Sequence, residues 1–572
     1  MTIMKKILLT MCFFASVVIS AQTFTANKDG DWTDTTLWTI TGAIDASTLP
    51  TADYDVVLPT GMAVRVKNGV SANMKSLTIG GSGAQLRIDN GSIVKVTGAV
   101  HITRSQDGIA MYAQSGPLGS FTYGSVTQNK RIFIRPRLAA NNKWALISSP
   151  LKESRMNEIA EKNSSNVVTS GTDIGLASYD DSQGANLKYV YYQTANSPHA
   201  NSAQLTQGKG YSILINNAGD NTKPDHYQRG LLVDAWPINI TLSTGGNGFN
   251  LLGNPLTGFL NVNSNAHATN NILTANNGIL SEATVWFWDS VNSAWITKNQ
   301  SDAAYKMPGV QGFFVKASSA SSFTFTKAMQ SDTGDAFLKS SATSNRFEID
   351  LNVTIGKQKR SASIRYIDNM TTDFDNGYDS STFGGYGSSF EVYTNLVGKD
   401  SGKKLAIQSL PNANFEDMII PVGVTANANS EITFSAKALN VPTGYKVFLE
   451  DRLNSTFTRL DEVDAEYTAT VTEKTTEGRF YLHARTSALS LDSELLNSVR
   501  IYKSNTSTLK IVGLSQGKTN VSLYNVIGEQ VLKASFNANG TKEISLPRLS
   551  SGVYVVQLET ETGKVNKKIV LE

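Results

Sequence analysis

Val521-Ser-Leu523-Tyr524-Asn525-Val526-Ile527-Gly528-Glu529-Gln530-Val531 alternates apolar and polar positions on both sides of a turn, and Gly528 supplies the tolerance of positive φ that a tight turn needs. Period two marks half-buried strands. The pattern precedes this stretch in Val499-Arg-Ile501-Tyr502 and Leu509-Lys-Ile511. It follows it in Leu549-Ser-Ser-Gly552-Val553-Tyr554-Val555-Val556-Gln557-Leu558, where Gly552 opens the next strand. So many short strands within residues 498–572 predict a small Ig-like β-sandwich.

The blocks Leu523-Tyr524-Asn525-Val526-Ile527-Gly528, Leu549 to Tyr554, and Gly563-Lys564 followed by Lys567-Lys568-Ile569-Val570 stand in one order. Together they resemble the type A C-terminal sorting domain of type IX secretion substrates. One departure is that the family usually opens on Ile-Tyr-Pro-Asn-Pro, where this chain reads Ile501-Tyr502-Lys503-Ser504-Asn505. The resemblance implies a sorting motif carried by Tyr524, Asn525, Gly528, Gly552, Tyr554, Lys567 and Lys568. It also implies the type IX secretion machinery as partner, export across the outer membrane of a Bacteroidota-type bacterium, removal of the domain, and a secreted or outer-cell-surface destination.

At the other end, Lys5-Lys6 precede an apolar run from Ile7 to Ile19, and Ser20-Ala21-Gln22 supplies small residues before a polar start. This layout predicts a signal peptide over residues 1–21, cut between Ala21 and Gln22. Cys12, the only cysteine, lies within it behind Met11, where lipidation needs a small residue, so the mature chain has no thiol and draws its stability from core burial. No other apolar run is long enough to span a bilayer, so no transmembrane segment is expected in the mature chain.

Between these ends the chain reads as all-β. Residues 22–108 hold short runs, among them Val56-Val57-Leu58, Ala63-Val-Arg-Val66, Leu77-Thr-Ile79, Leu86-Arg-Ile88 and Ile93-Val-Lys-Val96, separated by Gly, Asn or Asp turns. Such even rungs predict a β-solenoid-like region, with a sandwich as the alternative, and resemble the solenoid-like starts of surface proteins carrying the same sorting domain. Residues 109–345 form a β-rich body with one helical period at Glu153 to Lys162. Its segments Gly208 to Ile215, Asn250 to Leu256, Val285 to Asp289 and Val310 to Lys316 resemble the bodies of large secreted proteins with that domain. Residues 346–486 read as a second sandwich-like unit and 487–497 as a linker.

A net charge of +3 and the lack of a clustered basic face exclude nucleic acid as a partner. The densest basic group, Lys130-Arg131 with Arg135 and Arg137, reads as the solvated edge of a strand. His101, His199, His226, His267 and His483 are scattered, with no zinc-ligand spacing. Gly80-Gly-Ser82-Gly83-Ala84 lacks the final glycine of a nucleophile elbow, and Gly245-Gly246-Asn247-Gly248 has no following helix to cradle phosphate.

No catalytic residue is assigned. A glycosidase needs two carboxyl groups across a cleft, which sequence spacing does not reveal; Asp180, Asp181, Asp289 and Glu282 are nominal candidates. Trp286, Trp288 and Trp295 either stack on sugars or, as alternation in Trp286-Phe287-Trp288 suggests, pack in a core. No cofactor is expected, and the nearest approach to a metal site is Asp373, Asp375 and Asp379, a set of alternate carboxylates that fits calcium or, more simply, an Asx-rich turn. The expected function is that of a secreted or surface-attached, non-catalytic protein of adhesion, matrix or glycan contact, with extracellular polysaccharide or cell-surface glycan as partner. The alternative is a secreted polysaccharide-degrading hydrolase or lyase.

Overall fold

The computed structural model describes residues 22–42, 48–103, 108–113, 118–128, 131–138, 142–160, 166–184, 187–193, 203–216, 226–334, 345–383, 389–399, 402–486, 499–505, 507–560 and 563–571. The expected signal peptide with Ala21, His199 and the expected linker 487–497 lie outside the described residues. The fold is all-β, and among the described residues the helices are short turns between strands. Two compact units divide the chain: residues 1–136 with 229–234, and residues 137–228 with 235–572.

The first unit is a solenoid-like stack of largely parallel strands shared between two sheets. Asp55–Leu58, Ser76–Ile79, Ile93–Ile102 and Ser120–Gln128 pair in parallel in one, and Ala63–Val66, Gln85–Ile88, Ile109–Tyr112 and Ile132–Arg135 in the other. The register places Val64, Leu86 and Ile109 in one file and Val66, Ile88, Met111 and Ile134 in the next, all buried. Each rung has one apolar face too small to be stable alone, and stacking removes it from water at roughly 25 cal/mol per Å².

The corners need glycine where the chain doubles back. Gly81 has φ +85°, and a Cβ there would meet Thr60 Oγ1 at 1.8 Å. The Gly80 to Ala84 segment is therefore a solenoid corner. The parallel files continue beyond residue 108, through Ile132–Arg135. That last strand is no edge: Gln228–Gly230 pairs with it. Tyr123 then donates its hydroxyl to the Val233 carbonyl at 2.9 Å, and Gln128 Nε2 donates to the Leu232 carbonyl at 3.1 Å.

The second unit opens with antiparallel strands Lys143–Ser148, Gly210–Ile215, Asp173–Tyr179 and Tyr189–Gln193. Among the described residues of the helical period at 153–162, Met156–Ala160 form a short helix that buries Met156 and Ile159. A further sheet runs Phe249–Gly253, Gly312–Ala317, Leu280–Asp289, Ala294–Asn299. Alternation along Leu280–Asp289 sends Phe287 into a core with Leu260 and Phe313, and Trp286 to the opposite face with Phe249, Phe314 and Phe383.

Residues 346–486 form one eleven-stranded sheet that doubles over a shared core. Ile349, Leu351 and Phe434 from one part of the strand order pack with Val422, Leu449, Phe480 and Leu482 from the other. The C-terminal strands Arg500–Asn505, Thr508–Tyr524, Gln530–Ser545, Gly552–Thr560 and Gly563–Leu571 pair antiparallel around Leu509, Ile511, Val521, Leu523, Val556 and Leu558. Asn525 and Gly528 close a hairpin there: Gly528 has φ +84°, and Asn525 Oδ1 accepts the Glu529 amide at 2.9 Å. Tyr554 donates its hydroxyl to the Ser550 carbonyl at 2.8 Å, while Lys567 and Lys568 lie on the last strand opposite Val556 and Val555. Among the described residues no helix is long and apolar enough to cross a membrane.

Candidate functional site: a cation-lined cleft

In the second unit, the hairpin made by Leu280–Asp289 and Ala294–Asn299 faces the strand Gln358–Ile367 of the sandwich across a cleft of about 620 Å³. The hairpin is rigid at its tip because Asp289 accepts the amides of Val291 at 2.9 Å and Asn292 at 3.1 Å. Its carbonyls then anchor cations from two other strands. Lys143 Nζ donates to the Val291 carbonyl at 2.9 Å, and Arg360 Nη2 to the Ser293 carbonyl at 2.7 Å. Partial burial weakens the charged form of Arg360, and Glu391 and Asp289 favour it.

Deeper in the cleft, Arg365 Nη2 and Lys298 Nζ stand 2.8 and 3.1 Å from Asp302 Oδ1. Burial opposes ionisation of Asp302, but the two cations outweigh it and hold the carboxyl at about 2. Lys357 and Lys359 project from the exposed end of the same wall. The half-buried indole of Trp295 lies 3.8 Å, centroid to centroid, from the buried ring of Phe383 and so has a fixed orientation. Six cationic side chains and three carboxylates line the cleft. Arg365 and Lys298 are paired with Asp302, Lys143 and Arg360 hold hairpin carbonyls, Asp289 caps the hairpin, and Lys357 and Lys359 are exposed. The third carboxylate, Glu391, is pushed towards its protonated form by burial, although Lys404 and Arg360 oppose this.

The cleft gathers Asp289 and Trp295 from the residues singled out in sequence and leaves the others elsewhere. Trp286 is fully buried, and Trp288 donates Nε1 to the Trp144 carbonyl at 3.0 Å. Glu282 is buried, paired with Lys403 at 3.1 Å and capping the Ser381 amide at 2.9 Å. Asp180 caps the Ser182 amide at 3.0 Å. Asp181 pairs with Lys188 and accepts the Asn247 and Phe249 amides, so the glycine-rich loop 245–248 does cradle an anion, the chain's own carboxylate.

The three aspartates of the calcium reading do not converge. Asp373 Oδ1 accepts the Lys399 amide and Asp375 Oδ2 the Thr371 amide, both at 2.6 Å. Asp379 accepts the Asp375 amide at 2.7 Å and the Ser409 amide at 2.6 Å. Among the described residues no group of three or more His, Cys, Asp or Glu side chains is placed to hold a metal ion. Lys143, Arg360 and Glu391 were not singled out in sequence. No spacing signal joins residues so far apart, and only the fold brings them together.

A model of a secretion system C-terminal sorting domain matches residues 503–572, and the chain is a type IX secretion substrate, secreted or held at the cell surface. No curated protein matches the chain. Among solved structures, a polysaccharide lyase shares 9% identity over 39% of this chain, at a TM-score of 0.12, and the chain spans only 39% of that protein's length. The BSP domain of a biofilm associated protein shares 9% identity over 78% of this chain and 97% of its own, at a TM-score of 0.15. Scores this low establish no common fold. A family model described as a domain of unknown function, DUF8693, matches residues 23–483, and the chain belongs to that family.

Proposed function

We propose that this exported protein is a non-catalytic glycan-contact protein whose cleft takes an acidic polysaccharide. The observation that carries the reading is one half-buried indole, Trp295, in a cleft whose wall ends in the exposed lysines Lys357 and Lys359 and whose carboxylates Asp289 and Asp302 are already engaged. Sugar rings present apolar faces to an indole, and uronate or sulfate groups complement lysine and arginine. The carboxylates do not offer the free pair that glycoside hydrolysis needs.

Degradation is the second reading, favoured by Glu391 alone, a cleft carboxyl shifted towards the protonated form that a general acid requires. The test incubates the full chain with polyuronates, sulfated glycans and neutral glucans while binding, reducing ends and unsaturated uronate absorbance are followed. Binding confined to acidic polymers, without turnover, supports the proposal. Turnover abolished by Glu391→Gln overturns it in favour of the enzyme.

A further inference from the structure

The strand Thr475–Arg485 leaves its partner Ile420–Thr425 for three residues. Val422 faces Phe480 and Val424 faces Thr476, so Glu477, Gly478 and Arg479 stand against Gly423 alone. A bulge of this kind takes backbone groups out of the ladder and aims them elsewhere. Here the backbone of Glu477 and Gly478 meets the C-terminal sandwich, while the Arg479 carbonyl accepts the Arg452 amide at 2.9 Å. Gly478 has φ +80°, and a Cβ on it would lie 2.6 Å from the Gly513 nitrogen and 2.7 Å from the Gly540 oxygen. Gly513 and Gly540 also have positive φ, so backbone meets backbone closely here, with Val512 Cγ1 beside the contact at 2.8 Å from the same Cβ position.

Polar groups close the contact on both sides. The Glu477 carbonyl accepts Thr541 Oγ1 at 2.6 Å, and its carboxylate meets Lys510 Nζ at 2.8 Å. Arg452, buried over the Tyr481 ring and paired with Glu450 at 3.0 Å, donates Nη1 to the Gly513 carbonyl at 3.1 Å. A sorting domain that merely trailed on a tether would have no reason for a bulge, three glycines and a buried arginine aimed at it.

We propose that the sorting domain is docked on the 346–486 sandwich through this bulge, so that cutting the connecting chain leaves the two pieces associated. Detachment of the tail then requires the machinery to break a non-covalent contact as well as a peptide bond. The proposal is independent of the cleft and of what the cleft binds. To test it, a protease recognition sequence is placed between Ala488 and Asn497 of the full chain, the purified protein is cut, and the pieces are followed by gel filtration and by titration of their association. The cut pieces are expected to co-elute, and Gly478→Val is expected to separate them. Lys510→Glu, which alters a partly exposed side chain, weakens association by roughly tenfold or more, and adding Glu477→Lys restores it. Separation of the wild-type pieces after cutting overturns the proposal, as does association that survives both single substitutions.

Discussion

Arg365 Nη2 stands 2.8 Å from Asp302 Oδ1, and both side chains are buried, which ties the sandwich strand Gln358–Ile367 to the loop that follows the cleft hairpin. Deleting Arg365 leaves the buried Asp302 carboxylate to Lys298 alone, a loss of up to about 3–5 kcal/mol. Arg365→Met is therefore expected to destabilise the protein by that order. Asp302→Asn on the same background recovers part of it, as read by denaturant melts in a double-mutant cycle.

Lys357 and Lys359 are exposed at the mouth of the cleft, so replacing them leaves stability unchanged within about 0.5 kcal/mol. If acidic polymer lies along this wall, Lys357→Glu with Lys359→Glu weakens its binding by roughly tenfold and flattens the dependence on salt. Titrations at two ionic strengths read both effects. Unchanged binding removes this wall from the site.

Burial pushes the Asp379 carboxyl up to about 7, against the pull of the two amides it accepts. Its proton stays on in the folded state at pH values where the unfolded side chain has lost it. Stability from this group is therefore full below about pH 4, falls as pH rises to about 7 and is level beyond. The full shift corresponds to about 4 kcal/mol, and thermal melts from pH 4 to 8 should show the decline in wild type and lose it in Asp379→Asn.

The C-terminal domain carries the export signal, so removing residues 499–572 should leave the protein inside the outer membrane in a type IX-competent cell. Fractionation and surface labelling of the two forms measure this. Equal surface delivery of the truncated chain contradicts the assignment.

What the sequence made legible was local order. Two or three inward apolar positions per run, as in Ala63-Val-Arg-Val66 and Gln85-Leu-Arg-Ile88, suffice to announce a rung, and the Asn525 to Gly528 turn announces its hairpin. The extent of the stack was less visible, because Ile109–Tyr112 and Ile132–Arg135 differ in texture from earlier rungs yet need the same few contacts. The fates of the aspartates were hidden for another reason. Asp181, Asp289, Asp373 and Asp379 are spent on backbone amides, and the positions of those amides exist only once the loops are folded. The cleft is a tertiary product of the same kind, drawing Lys143, Trp295, Arg360 and Glu391 from separate strands.

The return of Gln228–Gly230 to the strand Ile132–Arg135 sets an order of assembly. A polypeptide delivered amino end first can build its early rungs as they emerge, but the terminal rung stays open until residues almost a hundred positions later arrive to seal it. Until then an unpaired ladder invites another chain. Until residue 228 has followed residue 135, the outer ladder of Ile132–Arg135 has no partner strand from its own chain.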